Sequence, residues 1–397
     1  MMIKPNEPLQ LLGGISPAEF MAKYWQKKPL LIRNAITDFK PLLSRSALFE
    51  LAGQDDVESR LIVANGNKWK LSHGPLAPKS LPSLKKPNWT LLVQGVDLHD
   101  AQVHALKNQF RFAPDARLDD LMISFATDGG GVGPHFDSYD VFLLQAHGTR
   151  RWRIGKQKDG TLQPNVPLKI LANFKPEQEF DLQPGDMLYL PPRYAHDGVA
   201  VGECMTYSIG FKVPKEVDLG RELLLRLADD TQEDQEDQED APESDVEEGQ
   251  ALNIKPDVLY RDADQPAVEH PAEIPATLLA FARQAVEKAM ADPDALARNL
   301  GEYLTEPKAN VWFDEPEDNV VLTRQNRVEL SVRSQMMFDA RHIFLNGESW
   351  RAAGNDAKLM RRLADQRYLN PAELTKASDG AVSLLQEWID EGWLVCL

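Results

Sequence analysis

The sequence is poor in cysteine. Cys204 and Cys396 are the only two in 397 residues, too few for a disulfide framework, which excludes a small disulfide-stapled secreted fold and suits inert thiols in a reducing compartment. No stretch approaches the roughly 18 consecutive apolar residues of a membrane-spanning helix, and the N-terminal "MMIKPNEPLQLLGG" has no apolar secretory core. A soluble, cytoplasmic protein with no membrane partner is expected. Positive charge is also short, 44 Lys and Arg against 61 Asp and Glu, and the deficit falls beyond residue 215. A nucleic-acid footprint is basic, so direct nucleic-acid binding is not expected. Histidine is scarce at eight, which makes any histidine with a partner at ligand spacing conspicuous.

What is present is 43% hydrophobic content in a chain long enough for two or three domains. "SPAEFMAKYWQ" reads as a short helix opened by a capping box of Ser16 and Glu19, with Pro17 at the first helical position. Residues 29–36, 59–70, 88–97, 119–127, 139–154, 186–191 and 199–212 then read as short strands divided by Gly/Pro turns, predicting a mainly β barrel or double sheet. Residues 216–228, 275–292 and 293–307 have the spacing of amphipathic helices. The stretch "DDTQEDQEDQEDAPESDVEEGQ" (229–250) between them holds no basic residue and predicts a disordered insertion, since like charges at that density resist compaction. From residue 309, "VVLTRQNRVELSV" and "HIFLNGESWRA" read as strands, the latter turning at Asn346-Gly347, followed by three helices. That pattern predicts a small α+β winged-helix-like domain used for protein contact. The expected division is 1–215, 216–308 and 309–397.

The chemistry concentrates in "GGGVGPHFDSYDVFLLQAHGTRRWRIG" (129–155). In an extended strand His135 and Asp137 project to one side and Phe136 to the other, a half-site for a cation. A second histidine would complete the 2-His-1-carboxylate triad of non-haem Fe(II) oxygenases, which leaves positions open for substrate and oxygen. His196 in "FDLQPGDMLYLPPRYAHDGVA" (180–200) is the candidate, on a strand that returns to the sheet. Arg150 lies on the far arm of a hairpin turning at Gly148 and can fold back toward the metal; a dicarboxylate chelating the ion at one end needs such an anchor at the other. Arg151 and Arg153 read as a solvated face, and the glycines 129–131 and 133 as backbone passing close to the ion.

Together these two stretches resemble the JmjC/cupin 2-oxoglutarate oxygenases, and more closely their bacterial ribosomal-oxygenase branch, the arginine hydroxylases of large-subunit ribosomal protein number sixteen. The similarity extends to "YWQKKPLLIRNAI" (24–36), "SRLIVANGNKWKLSHGP" (59–75), "NWTLLVQGVD" (88–97), "LDDLMISF" (118–125) and "MTYSIGFKVP" (205–214). The resemblance implies a double-stranded β-helix catalytic domain, a helical homodimerisation module and a protein-arginine hydroxylase using Fe(II), 2-oxoglutarate and O2 on a basic ribosomal protein. His135, Asp137 and His196 would hold the metal, and Arg150 the distal carboxylate of the cosubstrate. Ser208 and Ser124, with Tyr207 as a further hydroxyl, would share that carboxylate, and Asp128 and Tyr139 would clamp a guanidinium. Histidine hydroxylation, lysine demethylation and a non-catalytic adaptor are the rival readings.

Overall fold

The strand-forming stretches of the first half pair into one antiparallel sheet. In the computed structural model, which describes every residue except 1–2, 67, 240–258, 262–271, 273 and 317–319, its strands are β1 (Leu30–Ile32), β2 (Ser59–Asn65), β3 (Lys68–His73), β4 (Trp89–Val93), β5 (Leu118–Ala126), β6 (Val141–Gly155), β7 (Gln178–Leu182), β8 (Met187–Leu190) and β9 (Ala195–Phe211). They run in the order β1-β8-β6-β9-β5-β4-β2-β3, with β7 beside β6.

Alternation along each strand sorts the side chains. Leu121, Ile123 and Phe125 of β5, Phe142 and Leu144 of β6, and Tyr207, Ile209 and Phe211 of β9 enter one buried core. Phe20 stands against Tyr189 at 4.9 Å edge to face and against Phe142 at 5.4 Å, anchoring α1 (Pro17–Lys23) on that core. The alternate residues Met122, Ser124, Ala126, Thr206 and Ser208 are left for the opposite face, where the chemistry lies. Helix α1 starts where its sequence asks, Ser16 Oγ accepting the Glu19 amide. The reciprocal half of the expected capping box is absent, because the Glu19 carboxylate turns to Lys23 one turn on, at 2.8 Å. Helices α2 (Arg45–Leu51) and α3 (Ala101–Lys107) complete this part of the chain.

The remaining elements are α4 (Glu216–Glu239), α5 (Ala276–Ala289), α6 (Pro293–Thr305), β10 (Val328–Leu330), β11 (Met336–Phe338), β12 (His342–Leu345), β13 (Glu348–Arg351), α7 (Gly354–Gln366), β14 (Tyr368–Leu369), α8 (Pro371–Leu374), α9 (Asp379–Asp390) and β15 (Leu394–Cys396). Helix α4 continues through 229–239, so the first half of the acidic stretch is helical rather than disordered. Gln and Glu are good helix formers and extend a helix that the apolar residues before them have nucleated. Residues 240–250 of that stretch lie outside the described residues. Among the described residues no helix is long and apolar enough to cross a membrane.

Residues 1–213, 307–337 and 352–397 form one compact unit, and 214–306 with 338–351 another. In the first, β10 lies between β14 and β15, with Leu363 of α7 and Leu385 and Trp388 of α9 buried. The second differs from the linear division expected from sequence, which kept the β12–β13 hairpin with the C-terminal piece. Its turn is formed as expected, Asn346 and Gly347 both taking positive φ (52° and 95°). The hairpin packs on α6 because Gly301 has no side chain there: a Cβ at that position would strike the Phe344 ring. Gly301→Ala is therefore expected to destabilise this unit by about 1–3 kcal/mol through overpacking, read as a lower midpoint in thermal unfolding.

Candidate metal and cosubstrate site

Two chain segments meet at one backbone bridge. The His135 amide donates to the His196 carbonyl (2.9 Å) and the His196 amide to that of His135 (3.0 Å), placing the imidazoles 4.2 Å apart between centroids. His196 begins β9, but His135 and Asp137 are not on a regular strand. His135 makes an isolated bridge and the chain then leaves the sheet, the Asp137 carbonyl accepting the Arg193 amide at 2.7 Å. Asp137 reaches the histidines because of that departure rather than through strand alternation. Its oxygens lie 3.4 Å from His196 Nε2 and 3.8 Å from His135 Nε2.

The donor set fits a divalent ion. One ligand atom from each of His135, Asp137 and His196 lies within 4.8 Å of the other two, and among the described residues no other His/Cys/Asp/Glu group does so. Nδ1 of His135 donates to the Gly133 carbonyl and Nδ1 of His196 to that of Tyr194, both at 2.9 Å. This assigns the tautomer that leaves each Nε2 lone pair for a metal. Burial, reinforced by the neighbouring His196, brings the His135 pKa down to about 4. Burial also pulls on His196, but the hydrogen bond and charge of Asp137 outweigh it and raise its pKa. For Asp137, burial is outweighed by the hydrogen bond from His196 and the two imidazoles, so its carboxyl sits below the ordinary range. Of the other histidines, His104 is buried, and burial drives its pKa to about 2. His342 is held by Asp339, and His270 lies outside the described residues.

Arg150 lies near the triad, but not on the far arm of a hairpin: β6 runs unbroken from Val141 to Gly155, and the expected turn at Gly148 is a bulge in its pairing with β9. It is 3% exposed; Nη1 donates to Ser124 Oγ at 3.4 Å and Nη2 to the Gly198 carbonyl at 3.0 Å, while Nε has no partner. Among the described residues no carboxylate pairs with this buried guanidinium, an arrangement that is costly unless an anion binds there. Trp152 stacks near it at 5.2 Å and reaches His196 at 5.8 Å, so one indole lines both groups. Arg151 pairs with Asp181 on an exposed face, as expected. Arg153 does not: it bonds the nearly buried Asp197, whose charge also supports protonation of both imidazoles.

Ser124 and Ser208 are both buried on the inner face, Ser208 opposite Leu143 of β6 and Met122 of β5. Tyr207 is not at this face: its hydroxyl accepts the Leu42 amide on the core side. Tyr139 is 39% exposed, and desolvation together with the nearby Asp137 charge pushes its pKa up. Asp128 is exposed and uses a carboxylate oxygen on the Gly202 amide, capping a turn. The nearby glycines serve backbone packing rather than an ion, since a Cβ on Gly131 would lie 2.6 Å from the Gly198 carbonyl.

One acidic residue escaped the sequence reading. Asp120, on the inner side of a β5 bulge, acts electrostatically on Tyr139, and burial raises its pKa to about 6. "LDDLMISF" shows two adjacent aspartates, and alternation alone would have put Asp120 in register with Ser124.

A family model described as a JmjC domain matches residues 105–219, and one described as a ROXA-like winged helix matches 288–395. The ribosomal protein uL16 3-hydroxylase of Escherichia coli (strain K12) is 33% identical over 300 residues, 75% of this chain and 74% of that protein. The X-ray structure of E. coli YcfD aligns with a TM-score of 0.79 at 28% identity, covering 96% of this chain and 98% of that one. E. coli YcfD in complex with cobalt and 2-oxoglutarate aligns at 0.76 and 28% identity, covering 96% and 97%. The chain belongs to the bacterial ribosomal oxygenases, a branch of the JmjC-type 2-oxoglutarate-dependent dioxygenases.

Proposed function

We propose that this oxygenase hydroxylates a carbon of an arginine side chain in large-subunit ribosomal protein uL16, with His135, Asp137 and His196 holding Fe(II) and Arg150 anchoring 2-oxoglutarate. With Fe(II) bound, the site supplies oxidative chemistry in which one atom of O2 enters a substrate C–H bond as hydroxyl, and the other enters the succinate formed as 2-oxoglutarate loses CO2. The protein's part is orientation and electrostatics. Asp137 is kept ionised by its imidazole neighbours, and the Gly133 and Tyr194 carbonyls hold each imidazole in the ligating tautomer. Arg150 grips the distal carboxylate, with Ser124 beside it and Ser208 on the same inner face. The observation that carries this reading is the buried Arg150 guanidinium, left without a carboxylate partner next to the triad.

Arginine as the target is supported by Asp120 and Tyr139, a carboxylate and a hydroxyl that would hold the guanidinium while a methylene of its stem faces the metal. Asp128, expected from sequence to share that role, is engaged at its turn. The ribosomal substrate points to the cytoplasm. Val217, Leu224 and Leu225 of α4, Leu279 and Val286 of α5 and Met290 just after it are exposed apolar side chains that support homodimerisation through this helical segment. Sedimentation is expected to show a species of two chains at micromolar concentration; a monomer would remove the dimer.

Arg150→Ala is expected to weaken 2-oxoglutarate binding by about tenfold to a hundredfold, the loss of a charge-assisted pair of roughly 1.5–3 kcal/mol, with little change in metal affinity by titration. The Asp120 carboxyl faces Lys308, Asp119, Asp97 and Tyr139, and accepts from the Gly95 amide and Gln94. A guanidinium needs it ionised, so substrate affinity should be present above pH 6 and fall as pH drops through that value. The KM for a uL16 peptide, followed against pH, should lose this step in Asp120→Asn. Incubation of the metal-loaded protein with 2-oxoglutarate and uL16 should add one oxygen at an arginine by mass spectrometry. Replacing that arginine by lysine should remove most turnover, because an ammonium lacks the planar fork. Oxygen on a histidine instead, or formaldehyde from a methylated peptide, would transfer the assignment to those reactions.

A further inference from the structure

Asp120 stands at the end of a hydrogen-bonded row that the metal and cosubstrate chemistry does not use. Cross-strand pairing carries the inner face outward from β5: Ser124 is opposite Leu92 of β4, and Leu92 is opposite Arg60 of β2. Arg60 therefore belongs to the face that holds the site, two strands out from Ser124. Gln94, two residues past Leu92, continues that face, its backbone amide donating to the Glu58 carbonyl at 2.9 Å and so prolonging the pairing of β4 with β2. Arg60 Nη2 donates to Gln94 Oε1 at 3.1 Å, and Gln94 Nε2 donates to Asp120 Oδ2 at 3.4 Å.

The row has a direction. A guanidinium can only donate, so the Gln94 atom that meets Arg60 must be the amide oxygen, and the atom that meets Asp120 must be the amide nitrogen. Without Arg60 the amide is free to turn over and set its oxygen against a carboxylate. The two oxygens of Asp120 are also unequal. Oδ2 accepts the Gly95 backbone amide at 3.0 Å as well as Gln94, which occupies both its lone pairs. Oδ1 lies 3.5 Å from the place a Cβ of Gly210 would take, on β9 two residues past Ser208, and glycine has no side chain to cover it. Asp120 is 8% exposed, so its carboxylate depends on these donors rather than on water.

We propose that Gln94, locked in orientation by Arg60, is a positioning residue that keeps Oδ1 of Asp120 turned to the substrate, so that the target guanidinium is gripped by a single carboxylate oxygen. The proposal rests on Asp120 being the substrate clamp. It accounts for a cation beside a site that has to admit a cation: Arg60 acts on the amide and not on the ligand. Its Nε lies 3.9 Å from a Glu58 carboxylate oxygen, which offsets its charge.

The test is steady-state hydroxylation of a uL16 peptide carrying the target arginine by the full-length Fe(II)-loaded protein with 2-oxoglutarate, together with calorimetric peptide binding to the manganese(II)-loaded protein. Gln94→Met removes the donor at similar length and is expected to raise the peptide KM about tenfold, the scale of one lost hydrogen bond to a charged group, with kcat little changed and affinity falling in step. Arg60→Met should also raise the KM, by about threefold to tenfold, although it removes a cation that would repel a guanidinium. Arg60→Lys keeps a donor and should restore the wild-type value. Arg60→Met combined with Gln94→Met should be no worse than Gln94→Met alone, since Arg60 acts through the amide. A KM that falls in Arg60→Met, or stays unchanged in Gln94→Met, overturns the proposal. So does a loss of kcat and thermal midpoint in Gln94→Met and Arg60→Met that Arg60→Lys does not rescue, the mark of a merely structural row. Failure of the clamp reading looks different, since Asp120→Asn would then leave the KM unchanged whatever Gln94 does.

Discussion

The antiparallel pairing of β6 with β9 is the constraint on which the rest of the site depends. The pairing runs from Val141↔Gly210 to Gly155↔Ala195 and shifts register twice between Gln145 and Thr149; the register after the shifts fixes Arg150 opposite Ala200 and Ile154 opposite His196. The His135–His196 bridge then attaches the loop that carries the two other members of the cluster, His135 and Asp137. A slip of one residue would reverse the facing of every side chain on these strands, sending His196 and Arg150 to the core and Tyr207 to the cavity. Register is specified strongly because the opposite face carries large aromatics that fit only inside: Phe142, Tyr189, Tyr207 and Phe211 are all essentially fully buried.

That core explains how the fold tolerates polar burial at the site. Arg150, His196, Asp197, Ser124 and Gln145 are each less than a tenth exposed, an arrangement that costs stability wherever a partner is missing. Most are satisfied by short bonds to backbone carbonyls or to each other, and among the described residues Arg150 Nε is the one nitrogen of this group without a partner. A second buried network, Asp140 with the Tyr189 hydroxyl at 2.6 Å and Gln26 at 3.1 Å, sits on the core side and ties α1 to the sheet. Asp140 and Asp137 are three residues apart, yet one is structural and the other faces the metal site, because the chain turns between them.

The acidic half of the molecule follows different rules. Its helices present polar and apolar residues to solvent together, and the second compact unit is assembled from segments that the C-terminal elements interrupt in sequence. The contact of Gly301 with Phe344 shows how such a discontinuous unit is joined: a missing side chain on α6 admits a ring from a hairpin far along the chain.

The sequence by itself pointed to the cluster of His135, Asp137 and His196, to Arg150 near it, to the strand pattern and to the family, because each depends on residue type and local spacing: a scarce histidine two residues from an aspartate, a second after a turn, and alternation of period two. It also determined the Asn346-Gly347 turn, whose positive φ values few other residues accept. What only the tertiary structure decided depends on which segments meet. Asp137 reaches the imidazoles by leaving the strand, Arg153 turns to Asp197, Tyr207 faces the core, and Asp128 caps a turn while Asp120 approaches Tyr139. Tyr207 and Asp120 follow the alternation of their strands, but the other placements are not encoded by spacing, since a bulge or a bridge redirects a side chain without changing the local pattern.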